Sequence, residues 1–270
     1  MRPAAIHQVA VHVFKESVRD KVLYNLVLFA ALLMATSFLI GQLTAGQDVK
    51  IIKDLGLAAI SVFGLFIAIF IGIGLVSKEV EKRSIYALLA KPVRRQELIA
   101  GKFAGLALTL AVNIAMMAVV YFALLTYYGW TASEGLRRSW EAPALDPMLL
   151  KPIALIYLQL LIVNAIALFF STFTSPLLAA AFTLGLWVAG HFNADLRSFD
   201  QVVTAPAASA LGTALYYVLP NFSALDVKAL VVHGQHVPAG LIAMNVAYAA
   251  TYIGILLIAS ALIFSRRDFK

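Results

Sequence analysis

Six apolar stretches, separated by short polar segments, fix what this chain can become. They run over about 22–41, 55–76, 103–127, 152–171, 177–192 and 240–264. A helix needs roughly 20 apolar residues to cross the hydrocarbon core, and five of the six stretches meet that length. The fifth is shorter, and only Ser171-Thr172-Phe173-Thr174-Ser175-Pro176 divides it from the fourth. Proline starts or breaks a helix, so these two segments form a tight helical hairpin. With 62% hydrophobic and 13% charged residues, the chain cannot cover a surface in water, where globular domains carry about 25% charge. An all-α membrane protein follows, one transmembrane domain over 1–270.

The basic residues orient it. With the N-terminus inside, Arg2, Lys15, Arg19 and Lys21 lie on the inner side. Lys78, Lys82, Arg83, Lys91, Arg94, Arg95 and Lys102 join them, as do Arg266, Arg267 and Lys270. Lys50, Lys53, Arg137, Arg138, Lys151, Arg197 and Lys228 lie outside. This two-to-one bias favours six crossings with both termini cytoplasmic. The net charge of +7 is accounted for by residues beside spans, so it is no sign of nucleic-acid binding. No apolar core of a signal peptide is visible in the first 21 residues.

Two segments outside the spans stand out. Residues 4–20 place Ile6, Val9, Ala10, Val13 and Phe14 on one helical face and mostly polar side chains on the other. Such a basic amphipathic helix before a span lies in the headgroup plane. Residues 193–239 carry an almost uncharged run, Ala205 to Pro220, punctuated by Pro206, Pro220 and Pro238. A seventh span there would put Arg266, Arg267 and Lys270 outside. The segment therefore reads as helices that dip into the outer leaflet and return, shielded by the bundle.

The loop 77–102 holds the densest charge. Helix formers run from Glu81 to Ala90 with Ile85, Leu88 and Leu89 on one face, Lys91-Pro92 ends that helix, and Arg94 to Ile99 restarts one. An element of this kind inserts into a groove on a soluble partner. Its apolar face makes contact, and Glu79, Glu81, Arg83, Arg94, Arg95 and Glu97 set the register. A loop whose charges only fix topology is the other reading.

The loop resembles the cytosolic loop between spans two and three of the ABC-2 family of ABC transporter permeases. The matching residues are Glu79, Glu81, Lys82, Arg83, Leu88, Leu89, Pro92, Val93, Arg94, Arg95, Glu97, Leu98, Gly101 and Lys102. Ser84 stands where a Gly-Thr pair is common in that family. Phe14-Lys15-Glu16 with Arg19, and the ending Phe264-Ser265-Arg266-Arg267-Asp268, are similar too. The resemblance implies a permease subunit of an ATP-driven transporter, in a family most of whose members export. It implies a second copy or a paralogous permease across the pathway, a prokaryotic inner membrane, and separate cytoplasmic ATPase subunits. ATP and magnesium would bind to those subunits. Residues Glu79, Glu81, Lys82, Arg83, Leu88, Leu89, Pro92, Arg94, Arg95 and Glu97 would couple to them.

The chain has no phosphate-binding G-x-x-x-x-G-K-[ST] loop of its own, since Phe103 follows Gly101-Lys102. No cysteine is present, which removes disulfides, thiolate metal sites and cysteine nucleophiles. His233 and His236 have no carboxylate at metal-ligand spacing and read as a solvated pair. Asn113, Gln159 and Asn164 lie inside spans, where such groups bond between helices or line a path. His191, with Asp195 nearby, is a further candidate for a polar pocket. Gly64, Gly72 and Gly74 allow close helix approach, with a dimer interface as one place for it. A secondary carrier would need charged residues within its spans, and a lipid-modifying enzyme a catalytic cluster at the interface. Neither pattern is present. A largely uncharged path suits hydrophobic or amphipathic cargo.

Overall fold

The computed structural model describes residues 2–42, 48–81, 94–196 and 206–266. Every regular element among them is helical. The order is α1 (Pro3–Val18), α2 (Lys21–Gln42), α3 (Asp48–Glu81), α4 (Arg95–Thr131) and α5 (Glu134–Arg138). Then come α6 (Leu150–Ser171), α7 (Pro176–His191), α8 (Asn193–Leu196), α9 (Pro206–Val218), α10 (Lys228–Val232) and α11 (Ala239–Arg266). Helices α2, α3, α4, α6 and α11 are long and apolar enough to cross a membrane. Helix α7 has 16 residues, about 24 Å at 1.5 Å per residue, and α8 resumes the helical run after Phe192. This is an all-α membrane protein.

Two helices outrun their apolar stretches. Helix α3 begins at Asp48, with an acidic residue in the first turn, where negative charge favours a helix start. The Tyr128 hydroxyl of α4 donates to Asp48 Oδ2 at 2.8 Å, and the Tyr121 hydroxyl donates to the Lys53 carbonyl at 3.2 Å. Tyrosines on one helix thus hold the charged first turns of the other. Lys53, counted above on the outer side, is fully buried within the protein, and its Nζ has no hydrogen-bond partner.

Gly64 and Gly72 of α3 act inside the chain. A methyl group at Gly64 would collide with Leu160 of α6, and one at Gly72 would lie 2.8 Å from the Ala167 Cβ. Their absence lets the α6 side chains pack close to the α3 backbone, the device by which helices associate in lipid. Gly74 faces open space. Proline opens α7 as its first residue after the Ser171–Pro176 turn, where its missing N–H costs nothing.

Segments outside the spans cap one end of the bundle. Trp140 stacks on Tyr128 with ring centroids 5.7 Å apart. Glu141 accepts from Lys50 at 2.6 Å and lies 3.5 Å from His233 Nδ1. Gly234 follows α10 at φ +70°, the left-handed position in which glycine closes a helix, with Gln235 N–H donating to the Leu230 carbonyl at 2.8 Å. The pieces Gly212–Val218 and Ser223–Val232 meet at a 48° bend. Phe222 N–H donates to the Gly190 carbonyl at 3.0 Å, tying that bend to α7.

The Lys50 ammonium, and more weakly His233, hold the Glu141 carboxyl below the usual carboxylate range. A lowered folded-state value means the stabilisation is fully present above the unfolded carboxylate value, about 4.3. It is lost as pH falls through the folded one. Purified protein in detergent should therefore lose melting temperature as the pH falls below about 4.3, and Glu141→Gln should lose less there. Parallel melting curves for the two proteins would remove this cap as an acid-sensitive element.

Candidate functional site

The charged loop leaves α3 at Glu81 and returns at Arg94. Glu79 and Glu81 lie in the last turn of α3. Lys82, Arg83, Leu88, Leu89 and Pro92 fall outside the described residues. What the structure resolves is how the loop's return is anchored, and the side chains of Glu97 and Arg95 carry that anchor.

Glu97 sits in the first turn of α4 and is 1% exposed. Its Oε2 accepts the N–H of Arg94, the N-cap of α4, at 3.1 Å. Its Oε1 accepts the N–H of Arg2, the N-cap of α1, at 2.7 Å. One carboxylate thus closes the starts of two helices, each of which leaves N–H groups unpaired and presents the positive end of its dipole. Only half of a capping box forms at Arg94, because an arginine side chain offers no acceptor.

Arg95 faces the other way. Its guanidinium donates to the carbonyls of Phe264 at 2.8 Å and Ser265 at 2.9 Å. These lie near the C-terminal end of α11, where the helix dipole favours a cation. The guanidinium also lies 5.9 Å from the centre of the Phe264 ring. Ile99 of α4, Leu168 of α6 and Phe264 of α11 form a small apolar cluster beneath it.

The apolar face of α1 packs along α4. A Cβ at Gly101 would lie 2.6 Å from the Val9 Cβ, and one at Gly105 would lie 2.6 Å from the Ala10 carbonyl. Only the lack of a side chain at both positions lets the two helices approach. The first turns of α4 therefore hold α1 on one side and the end of α11 on the other.

A family model described as ABC-2 family transporter protein matches residues 8–269. The chain belongs to this family. No curated protein matches it. In this ABC-2 family protein, Arg94, Arg95 and Glu97 are thus placed by the fold, and the latter two point their polar atoms at other helices of the same chain.

The polar residues within the spans do different things. Asn113 is buried and its Nδ2 donates to the Thr109 carbonyl of its own helix at 2.8 Å. His191 Nδ1 lies 2.8 Å from the Trp187 carbonyl, which can only accept, so that nitrogen carries the proton. Its Nε2 is then the acceptor for the Gln159 amide at 3.2 Å. One neutral tautomer satisfies both bonds and joins α7 to α6. The ring also meets Trp187 at 4.4 Å and Phe222 at 5.5 Å between centroids. Asn164 is 1% exposed, and neither its Oδ1 nor its Nδ2 has a partner. It faces the α3–α6 seam beside Gly72, whose Cβ would lie 3.2 Å from the Asn164 Oδ1.

No sequence pattern pairs Glu97 with Arg2 or Arg95 with Phe264, because those partners are 95 and 169 positions apart. The one local signal is the three-residue step from Arg94 to Glu97, which is capping spacing. Glu97→Gln keeps one acceptor and turns the other into a donor facing an N–H. Amide hydrogen exchange at 2–6 and 94–98 should accelerate roughly threefold to tenfold in that variant, the range of a lost cap. Acceleration at 94–98 alone would mean that α1 is held by packing and not by the carboxylate.

Proposed function

We propose that this ABC-2 family protein is the permease subunit of an ATP-driven exporter, moved by a separate cytoplasmic ATPase that docks on the 79–97 loop. The observation that carries this reading is the anchoring of the loop's return. A loop that only fixed topology would need no buried carboxylate closing two helix starts and no guanidinium closing the end of α11. An element that transmits a push needs such stiff joints, because coupling requires a connected element with two arrangements.

In this reading Glu79, Glu81, Lys82, Arg83, Leu88, Leu89, Pro92 and Arg94 meet the ATPase. Arg95 and Glu97 pass the displacement to α11 and α1. ATP and magnesium bind in the ATPase, and a second permease, identical or paralogous, completes the pathway. Both termini lie in the cytoplasm of a prokaryotic cell, as the basic residues favour. Asn113, Asn164 and His191 are the polar points of the path. Asn164 is the strongest of them, since its amide is buried with no partner in the resting arrangement.

Affinity isolation of the tagged chain from its native cell in mild detergent, with ATP hydrolysis assayed on the eluate, tests the whole reading. A stoichiometric ATPase that depends on the loop is expected, and a chain that elutes alone in several detergents overturns it. Charge reversal at Glu79, Glu81 or Arg83 should weaken ATPase association or coupling on the order of tenfold, as the loss of a close interfacial charge pair does, without loss of folding. Arg95→Gln should leave the ATPase bound and hydrolysing while transport falls, with only about 0.3–1 kcal/mol of stability lost at the helix end. Unchanged stimulated hydrolysis in all three reversal variants removes the docking role.

Asn164→Leu removes a buried amide left without partners, so it should stabilise the protein by about 1–3 kcal/mol. On the proposed path the same change lowers transport. Higher stability with undiminished transport would return Asn164 to packing.

A further inference from the structure

Lys53 is 0% exposed and its Nζ has no hydrogen-bond partner. Asp146 attracts it from beyond hydrogen-bond distance. A buried cation without a partner costs more than a neutral donor without one. Over the first turns of α3 lies the connection 139–146, which joins α5 to a 3₁₀ turn at Pro147–Leu149. Its Glu141 meets Lys50, one turn before Lys53, and its far end is Asp146. Its Trp140 adds a second donor left over, a buried Nε1 with no partner.

Little holds this connection down. Residues 141–145 make no backbone hydrogen bond with any other described residue. Side chains fasten it instead. Glu141 sits between Lys50 and His233, Trp140 stacks on Tyr128, and Ala142 and Ala144 rest against Gly234 and Gly129. The side chains of Glu141 and His233 are more than half exposed, so water screens that pairing. The two ends are better fixed. Arg137 donates to the Trp130 carbonyl at 2.8 Å, and Asp146 Oδ1 accepts the Met148 N–H at 2.8 Å. A segment with few backbone bonds, hinged at two fixed ends, opens well before the helices around it.

We propose that residues 139–146 form a lid, latched by Glu141, that lifts from the first turns of α3 while the bundle stays folded and so uncovers Lys53. Opening breaks an exposed ion pair and a ring stack. In return it gives water to the Lys53 ammonium and the Trp140 N–H, the two donors that the closed lid leaves unsatisfied. Lys53 precedes Gly64 by eleven residues, which is about 20° away around the helix. It therefore lies on the side of α3 that meets α6, and the lid closes the seam at the end opposite the charged loop. On the transporter reading that end is the far mouth of the path, but the lid does not rest on that reading.

The test is acylation of the full chain in detergent by a water-soluble amine reagent, with each lysine followed over time by peptide mass spectrometry. Lys50→Arg serves as the background, since a guanidinium keeps the charge beside Glu141 and escapes the reagent. Lys53 should react, more slowly than the exposed Lys15, while Lys102, 3% exposed at the other end of the bundle, stays unmodified. Glu141→Gln should speed Lys53 alone by about twofold to fivefold, the effect of losing an exposed ion pair. Gly129→Cys with Ala144→Cys should lock the lid to α4 when oxidised, because a Cβ at Gly129 would lie 3.3 Å from that of Ala144, close to the roughly 3.5–4.5 Å of a disulfide. The lock should slow Lys53 about tenfold or more, and reduction should restore the rate. If the double variant does not fold, Glu141→Gln decides alone. A Lys53 that never reacts, that ignores Glu141→Gln, or that reacts in step with Lys102 overturns the lid. No ATPase takes part, so this failure and that of the transporter reading are separable.

Discussion

Hydrocarbon offers a peptide group no hydrogen-bond partner, so each crossing segment must close its backbone bonds within itself. Helices do this everywhere except at their ends, where four N–H and four carbonyl groups are left over. In this chain those ends decide where charge is kept. Glu97 takes up N–H groups from the starts of α1 and α4. Arg95 takes up carbonyls from the end of α11. Asp48 stands in the first turn of α3 and is held by Tyr128. These three charges are the means by which those helix ends finish; Lys53, buried without a partner, is not of this kind.

Between the ends, helices surrounded by lipid gain little from hiding apolar surface and associate by close packing. The chain uses missing side chains for this repeatedly. Gly64 and Gly72 bring α3 against α6, and Gly101 and Gly105 bring α1 against α4. These seams bury much of α3 and α6 and leave α2 and α11 mostly uncovered. Leu28, Phe29 and Leu32 on α2, and Ile255, Ile258 and Leu262 on α11, are all more than half exposed. A helix apolar all round can present such a face to lipid without cost, as it could not to water.

The existence of the spans was legible because a run of about 20 apolar residues has almost no other use. Their ends were less so. The apolar stretch starting at 55 gives no sign that α3 begins at Asp48. The polar first turn is stabilised by Tyr121 and Tyr128, which lie some 70 to 80 positions away. The burial of Lys53 is hidden from the sequence for the same reason. The loop's charges read as one outward-facing set, yet Arg95 and Glu97 bond inward, and periodicity contains nothing about which helix lies beside them. His191 was legible as a polar residue at a span end, but its partner Gln159 was not. The matching family supplies the class of protein. It does not supply these pairings.

The two helices that bracket the charged loop are held in different ways. Helix α3 is locked along its length to α6 by the glycine seam, so a displacement at Glu81 meets a joint that spreads over several turns. Helix α4 is held at its first turn by two polar contacts at opposite sides, to α1 through Glu97 and to α11 through Arg95. A force on the loop would then meet a stiff wall on the α3 side and a short lever on the α4 side. Hydrogen bonds at a pivot can be kept while a helix tilts, whereas interdigitated backbones cannot slide without losing contact. Motion delivered to the loop should for that reason divide unequally, with the α3–α6 pair moving less than α4. Asn164 lies in the α3–α6 seam beside Gly72, in the half expected to stay still. The wall opposite it is Gly72 of α3, in that same half, so the seam itself must part before cargo can reach Asn164.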